Sequence, residues 1–592
     1  MAHTLSNTEE SIGTRISLVK FFRQFIDILR PERNFYWLAL VYGVGVSMLS
    51  LATPISVQML INTVANTALT APLVVLSVTL FGLLLLFGLM NALRIHLMEL
   101  FARRFYARMV AEISLISVYA QNPFFVDNQN GWLFNRYFDV INVQKALPVL
   151  FVGGFSVVLQ VAVGFVLVSL YHPLFLVFTI VMSALIWVIW LVWGAKAIRT
   201  GIDMSHAKHG TAAWLETLGE SNGFFKSQRR IDYALDRTDD YTARYIGERK
   251  RHFRQHFGQT IAFLVLYAAA SAALLGLGGW LVLQEQLSLG QLVAAELVLS
   301  VAFFGVAQLG TYLTYFYDLC AAVEELSQFY DVQQEEPKGD NPITGDDHTL
   351  VFHSVSGPAR YEQATLDLEI PSGSIVMAAA SHHGVQRLFT SILKMHTIPD
   401  KGFTSLGGID LKDIEAHNLR KDVHVVERPS FVGMTIREYL SLSCPDSAPG
   451  RMIGALETVG LDRTIASFEK GLDTLVASTG YPLSLVELQQ LKLANALLEQ
   501  PRVLVLSRLF DLLDEDHLAR SIKELRDQAY TTVVCFSGRR IDLGFDKFLF
   551  MEANEQRYFD NFEDFCLAVN KKPPHRPKGP RPLSPNFGAV GE

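Results

Sequence analysis

Long apolar runs dominate the first half of the chain, and short alternating runs dominate the second. A bilayer core takes about 20 consecutive apolar residues per helix. Six stretches meet that length, near Phe35–Ile61, Ala71–Leu93, Pro148–Leu170, Leu174–Ala195, Thr260–Leu283 and Leu289–Leu313. The third and fourth are separated only by the turn-like Tyr171-His172-Pro173. One such run fits a buried helix of a soluble protein, whereas six in succession point to a membrane domain. The connections after the second and fourth stretches are too long for simple loops. Helical spacing of apolar residues in Ile113–Tyr119 and Ala212–Leu218 predicts that the spans continue as helices beyond the bilayer. Arg15–Leu29 reads as an amphipathic elbow helix on the membrane surface, with Leu18, Phe21, Phe22, Phe25, Ile26 and Leu29 on one face.

Basic residues set the expected orientation. Arg15, Lys20, Arg23, Arg30 and Arg33 precede the first span. Arg94, Arg103, Arg104, Arg108, Arg136 and Lys145 follow the second, and Lys196, Arg199, Lys208, Lys226, Arg229 and Arg230 follow the fourth. The short connections Val64–Leu69 and Gln284–Leu287 carry neither Lys nor Arg. Both termini and both long connections are therefore expected in the cytoplasm, in an integral protein of the plasma or bacterial inner membrane. The polar Met1–Thr14 has no signal-peptide pattern, so the spans themselves are expected to direct insertion.

The 592 residues exceed one compact core, and 50% hydrophobic against 18% charged residues agrees with partial immersion in lipid. A net charge of -7 gives no reason to expect nucleic acid as partner. Cys320, Cys444, Cys535 and Cys566 lack metal-ligand spacing and suit a reducing compartment. No metal is expected. His252 and His256 stand at i, i+4, but with Arg251 and Arg254 beside them they read as a solvated helix face. Glu296, near the outer end of the last span, reads as a carboxylate that snorkels to the interface.

The expected domains are a cytoplasmic N-terminus over 1–34, a six-helix membrane domain over 35–330, a linker over 331–349, an α/β domain over 350–570 and a Pro-rich disordered tail over 571–592. Strand candidates in the α/β part include Ser374–Ala378, Val423–Val426, Arg502–Leu506, Thr532–Phe536 and Lys547–Met551.

Several short runs then occur in a telling order. In the first half these are Gly131-Trp132-Leu133-Phe134-Asn135-Arg136-Tyr137-Phe138-Asp139 and Leu287-Ser288-Leu289-Gly290-Gln291-Leu292. In the second half they are Asp400-Lys401-Gly402, Gly408-Ile409-Asp410-Leu411, Asn418-Leu419-Arg420, Thr435-Ile436-Arg437-Glu438, Gly471-Leu472-Asp473-Thr474-Leu475-Val476 and Leu493-Ala494-Asn495-Ala496. Together they resemble an ABC exporter half-transporter: a type I exporter-like all-α membrane domain of six helices, followed by an α/β P-loop NTPase-like ABC domain. The resemblance covers about Arg15 to Asn570.

The resemblance also implies where nucleotide chemistry would sit, and there the residue types depart from the family pattern. A phosphate loop reads G-x-x-x-x-G-K-[ST], whose backbone N–H groups, lysine and hydroxyl hold phosphate and Mg²⁺. The aligned run is Ala380-Ser381-His382-His383-Gly384-Val385-Gln386-Arg387, with Ala380 and Val385 at the glycine positions, Gln386 for the lysine and Arg387 for the hydroxyl. The strand Val503-Leu504-Val505-Leu506 ends in Ser507-Arg508 where the family has Asp-Glu. Glu427 stands at the glutamine of the Q-loop, and Gly538 at the later histidine. The signature Leu-Ser-Gly-Gly-Gln reads Leu483-Ser484-Leu485-Val486-Glu487. A guanidinium stays protonated and cannot act as a general base. A remaining basic nest of His382, His383 and Arg387 is a secondary option for holding an anion.

No cofactor is therefore expected in this chain, with ATP and Mg²⁺ only on a partner. The expected function is that of the inactive half of an export complex, a pseudo-ATPase dimerised with an ATPase-competent half-transporter in the lipid membrane. The alternatives are a structural or regulatory scaffold subunit and, less in keeping with the retained domain, an ATP-independent channel.

Overall fold

The computed structural model describes residues 18–67, 70–121, 130–335, 347–360, 362–427, 431–443, 449–527, 531–539 and 541–570. They fall into two units, 1–335 and 336–592. The tail at 571–592, Cys444 and the elbow's first residues lie outside the described set.

The first unit is helical. Its helices are α1 (Leu18–Leu29), α2 (Arg33–Leu49), α3 (Ala52–Thr67), α4 (Thr70–Val118), α5 (Asp139–Val149), α6 (Phe155–Ser169), α7 (Pro173–Glu220), α8 (Gln228–Leu283) and α9 (Leu289–Tyr330). Among the described residues six segments are long and apolar enough to cross a membrane; four contain their expected stretch, and the second and third overlap theirs to within two residues at one end. The first span is broken between α2 and α3 at Ser50–Leu51, and Pro54 lies in the first turn of α3, where the N–H it lacks has no intrahelical partner to lose. At ~1.5 Å per residue α4, α7, α8 and α9 each exceed 60 Å, roughly twice a hydrocarbon core, so they run well past the bilayer. Ser288 starts α9 with a reciprocal capping box: Gln291 N–H donates to the Ser288 hydroxyl, and Ser288 N–H to the Gln291 side chain.

Large apolar side chains such as Val78, Phe81, Leu85, Val177, Trp187 and Val265 stay uncovered along the spans, as side chains facing lipid tails would be. Apolar residues from Ala to Phe fill the interior, in one cluster around Phe175, Phe263, Leu274, Leu299 and Phe303 and another around Phe101, Phe105, Val143, Leu326 and Phe329. From α1, Ile28 and Leu29 join the second cluster, while Ile26 stays exposed. The elbow is thus anchored through its C-terminal turn, and Ile28 was not among the six residues assigned to its apolar face.

The second unit is α/β. A six-stranded sheet has the order β12-β11-β3-β10-β9-β6, from β3 (Ile375–Ala380), β6 (Val423–Val426), β9 (Val503–Leu506), β10 (Thr532–Phe536), β11 (Lys547–Met551) and β12 (Gln556–Phe559). All neighbours are parallel except β11 and β12. Alternate residues feed opposite faces. Met377, Leu504, Cys535 and Phe548 enter one core, and Val376, Val505, Val534 and Leu549 the other. The second core is closed by the antiparallel sheet β2-β1-β4-β5, built from β1 (Leu350–Ala359), β2 (Glu362–Ile370), β4 (Lys401–Leu406) and β5 (Ile409–Asp410), and by α10 (His383–Leu393). A short pair, β7 (Met434–Thr435) with β8 (Leu475–Val476), stands apart. The remaining helices are α11 (Ala416–Asp422), α12 (Ile436–Ser443), α13 (Pro449–Val459), α14 (Asp462–Ser467), α15 (Leu485–Glu499), α16 (Glu515–Asp527) and α17 (Phe562–Asn570).

Candidate nucleotide site and the helical junction

The C-terminal ends of β3, β9 and β10 lie side by side, the edge where parallel α/β sheets bind ligands. Strand β3 runs through Ala380 and α10 begins at His383, so only Ser381 and His382 connect them. A phosphate loop keeps the residues from its first glycine to its second outside the helix, whose first turn carries the Lys and the hydroxyl. Here Gly384, Val385, Gln386 and Arg387 are already helical. Val385 is fully buried in the core with Phe389 and Leu393, Gln386 is buried, and Arg387 is exposed. Gly384 is fixed by close approach, since a Cβ there would lie 2.6 Å from the carbonyl oxygen of Ala359.

The start of α10 is capped from within. Gly384 N–H donates to Nδ1 of His382 at 3.2 Å, and Nε2 of that ring lies 2.7 Å from the Glu362 carboxylate. The suggested nest of His382, His383 and Arg387 therefore has a carboxylate beside it and one of its N–H groups already bonded.

Beside it, Ser507 caps the turn Arg508–Leu512 by accepting from Leu509 N–H at 3.3 Å. Arg508 reaches toward Gly538, where any Cβ would collide with Nη2 of the guanidinium. The two positions are sterically coupled: the missing side chain at Gly538 leaves the room that Arg508 uses. Asp511 joins the two loops and escaped sequence reasoning. Its carboxylate accepts from the Ser537 hydroxyl at 2.6 Å and from Gly538 N–H at 2.8 Å. Arg539 donates to the Asp511 carbonyl. Glu427 is ion-paired with Lys394, the residue that ends α10.

Ser484 and Glu487 form the capping box of α15, with Ser484 N–H donating to Glu487 at 2.8 Å and Glu487 N–H to the Ser484 hydroxyl at 3.3 Å. The Thr464 hydroxyl adds a bond to the Glu487 carboxylate. Partial burial raises the Glu487 carboxyl pKa, but these bonds outweigh it and hold the group below the usual range. Leu483 is buried, Leu485 exposed and Val486 half-buried, so the helix start carries apolar side chains outward.

In the first unit a polar junction forms beyond the spans. Arg136 and Asp139 come from the run that carried the resemblance, and both are buried. Arg136 pairs with the fully buried Glu325 of α9 at 2.5 Å. Asp139 accepts from Lys208 at 3.0 Å and pairs with His209 at 2.5 Å, both on α7. His206 lies 2.8 Å from Glu324. His252 and His256 need a correction, because they do not form a solvated face. His252 is buried beside Ala197 and Thr200 of α7, and His256 lies 2.8 Å from both the Gly310 carbonyl and the Thr314 hydroxyl of α9. Helix α8 presents that face to two neighbours, while Arg251 and Arg254 point outward. Glu296 accepts from the Ser300 hydroxyl one turn on.

Residues 36–306 match the ABC transporter transmembrane region. The fold and this match define the class: an ABC exporter-type transmembrane region followed by an α/β domain whose strands and helices are consistent with the ABC fold. A bacterial Atm1-family ABC exporter, solved with ATP bound, superposes with a TM-score of 0.74 over 91% of this chain and 96% of its own, at 16% identity. Among curated relatives, the ABC multidrug transporter mdr2 of Aspergillus fumigatus is 25% identical over 83% of this chain and 64% of its own length, a little under two thirds. The leukotoxin translocation ATP-binding protein LktB of Mannheimia glucosida is 21% identical over 91% of this chain and 77% of its own.

Proposed function

We propose that this chain is an ABC exporter-type membrane subunit that does not hydrolyse ATP itself and forms the inactive half of an export complex energised by an ATPase-competent partner chain. The observation that carries this is the two-residue connection between β3 and α10. It leaves no loop to wrap a triphosphate, and Val385 is committed to the core. Around it, Ser507 and Arg508 supply neither a carboxylate for Mg²⁺ nor a base, and Gly538 supplies no imidazole. The residues present do not fit ATP–Mg²⁺. Both termini are placed in the cytoplasm on the distribution of Lys and Arg.

A second reading has its own support. Leu485 and Val486 fill the helix start at which a signature would meet a partner's nucleotide. That favours a scaffold or regulatory subunit that keeps the exporter shape without joining a catalytic pair.

Photolabelling of the purified full-length protein with an azido-ATP analogue and Mg²⁺, alone and with its co-purifying proteins, tests both. Labelling of a partner but not of this chain is the expected result. Saturable Mg²⁺-dependent labelling of this chain overturns the proposal. Isolation as a stable homodimer free of any nucleotide-binding partner favours the scaffold reading. Gln386→Lys alone is expected to give no ATP turnover, since metal ligands and base stay absent.

A further inference from the structure

The junction between α7 and α9 holds more ligating chemistry than ion pairing uses. His206 Nε2 and carboxylate oxygens of Glu324 and Glu325 lie within 4.8 Å of one another. The closest approach is 2.8 Å, from His206 to Glu324 Oε2, and Glu325 Oε1 is 3.9 Å from the same nitrogen. Those separations are of the order of the distances between neighbouring ligand atoms round an ion bound at about 2.0–2.2 Å.

Two independent observations separate this cluster from an ordinary salt-bridge network. Glu325 is fully buried, and its Oε2 takes the bond from Arg136 and one from Gln328. Its other oxygen, Oε1, has no hydrogen-bond partner and is aimed at His206 and at His209, 4.0 Å away. An ionised oxygen left so in a buried place carries a desolvation cost that no hydrogen bond offsets. The second observation is charge. Three buried carboxylates, Asp139, Glu324 and Glu325, face two fixed cations, Arg136 and Lys208. Asp203 lies close to His206 and Glu324 as well, and the nearby Arg251 is paired with Glu248, so carboxylates outnumber the fixed cations round the junction.

The location suits a soluble ion. At ~1.5 Å per residue, His206 lies about 50 Å along α7 from Pro173, beyond a hydrocarbon core of about 30 Å. The His206 side chain is 40% exposed, so the nitrogen donor stands at the mouth and the carboxylates line the floor.

We propose that His206, Glu324 and Glu325 bind one divalent transition cation of the zinc class, clipping α7 to α9. One imidazole and two carboxylates suit Zn²⁺, Co²⁺ or Mn²⁺ better than Mg²⁺, which prefers an oxygen-only, largely hydrated shell. Three protein donors leave a position for water. His209, held by Asp139, flanks the site. The proposal is independent of how the α/β domain handles nucleotide.

The test uses tag-free, metal-stripped, full-length protein in detergent micelles, titrated with Zn²⁺ against a chromophoric chelator in millimolar Mg²⁺. One Zn²⁺ per chain is expected, with affinity falling at least tenfold in His206→Asn and in Glu325→Gln. Co²⁺ is expected to give visible d–d bands in wild type that are lost in His206→Asn. Glu325→Gln weakens the Arg136 pair and can harm folding, so the half-exposed His206→Asn carries the decision. His206→Cys, with a thiolate in place of the imidazole, is expected to restore binding, with a gain for Cd²⁺. No stoichiometric Zn²⁺ in wild type, or Zn²⁺ bound equally well by His206→Asn, overturns the site.

Discussion

Replacing Val385 by glycine, the residue of a phosphate loop, tests whether this segment has become helix and core. Val385 is fully buried, packed in the cluster of Phe352, Leu388, Phe389 and Phe536. Removing its three side-chain carbons at about 0.8 kcal/mol each forfeits roughly 2.4 kcal/mol. Exchanging valine for glycine within a helix adds roughly 0.5 kcal/mol. The sum, about 3 kcal/mol, corresponds to roughly 100-fold in an opening equilibrium, at ~1.4 kcal/mol per factor of ten. Hydrogen–deuterium exchange of the α10 amides in the full-length protein reads that equilibrium. Arg387→Gly is the control: the same helix and the same new glycine, but at an exposed site. Roughly tenfold or less is expected there, because about 1 kcal/mol of propensity and a solvent-exposed contact are lost but no core packing. If Val385→Gly speeds exchange by no more than the control, the residue is not part of a packed core and the repacked-loop argument fails.

Three further outcomes follow from the geometry. Gly538→Ala is expected to cost under about 1 kcal/mol, because the Arg508 guanidinium its Cβ meets is the exposed end of a flexible side chain that can swing aside, and still less in an Arg508→Ala background; a larger loss that persists in a thermal double-mutant cycle would deny that contact. Burial drops the Lys492 pKa to about 8 from 10.5, so between those values the unfolded chain holds a proton that the folded chain does not. Stability is therefore expected to rise with pH from about 8 to about 10.5, and Lys492→Met to flatten that slope, as measured by thermal unfolding across the range. Arg136→Met is expected to cost about 3–5 kcal/mol by stranding buried Glu325, and Arg136→Met with Glu325→Leu much less. Half-lives at elevated temperature, followed by size-exclusion chromatography, measure both; equal losses in the single and double variants would refute the pair's importance.

The spans were legible because lipid demands uninterrupted apolar length, a one-dimensional property. Their junctions were not. His206 and Glu324 are 118 residues apart in sequence, and Arg136 and Glu325 are 189 apart, so no local window joins them. His252 and His256 looked solvated because adjacent arginines are outward, but a helix wedged between two others buries one face whatever its neighbours in sequence. Pro148 looked like the start of the third span, yet the helix passes through it into a π turn at Leu150–Gly154. There Arg94 donates to the Val152 carbonyl at 2.8 Å, a tertiary partner that no periodicity reveals.

The strands of the parallel sheet were placed within a residue or two by their short, nearly continuous apolar runs. The β1–β2 hairpin was not placed, since Gly357 and Pro358 break the pattern. Pro358 pairs with Gln363 of β2 beyond the last residue matched to β4, so the ladder on that side does not need its missing N–H. At the nucleotide edge, sequence supplied the residue types but not what they do now: Ser484 and Glu487 as a capping box, Ser507 as a cap, Asp511 as the link between two loops.

The short turn from β3 into α10 has an evolutionary consequence. Gly384 sits against Ala359, Val385 is set in the core, and Arg508 occupies the space above Gly538, so each position has acquired a structural duty. On the proposed reading, Val385→Gly lowers stability while returning no activity until several other positions have changed. A lineage with that arrangement would have no route back to hydrolysis one residue at a time.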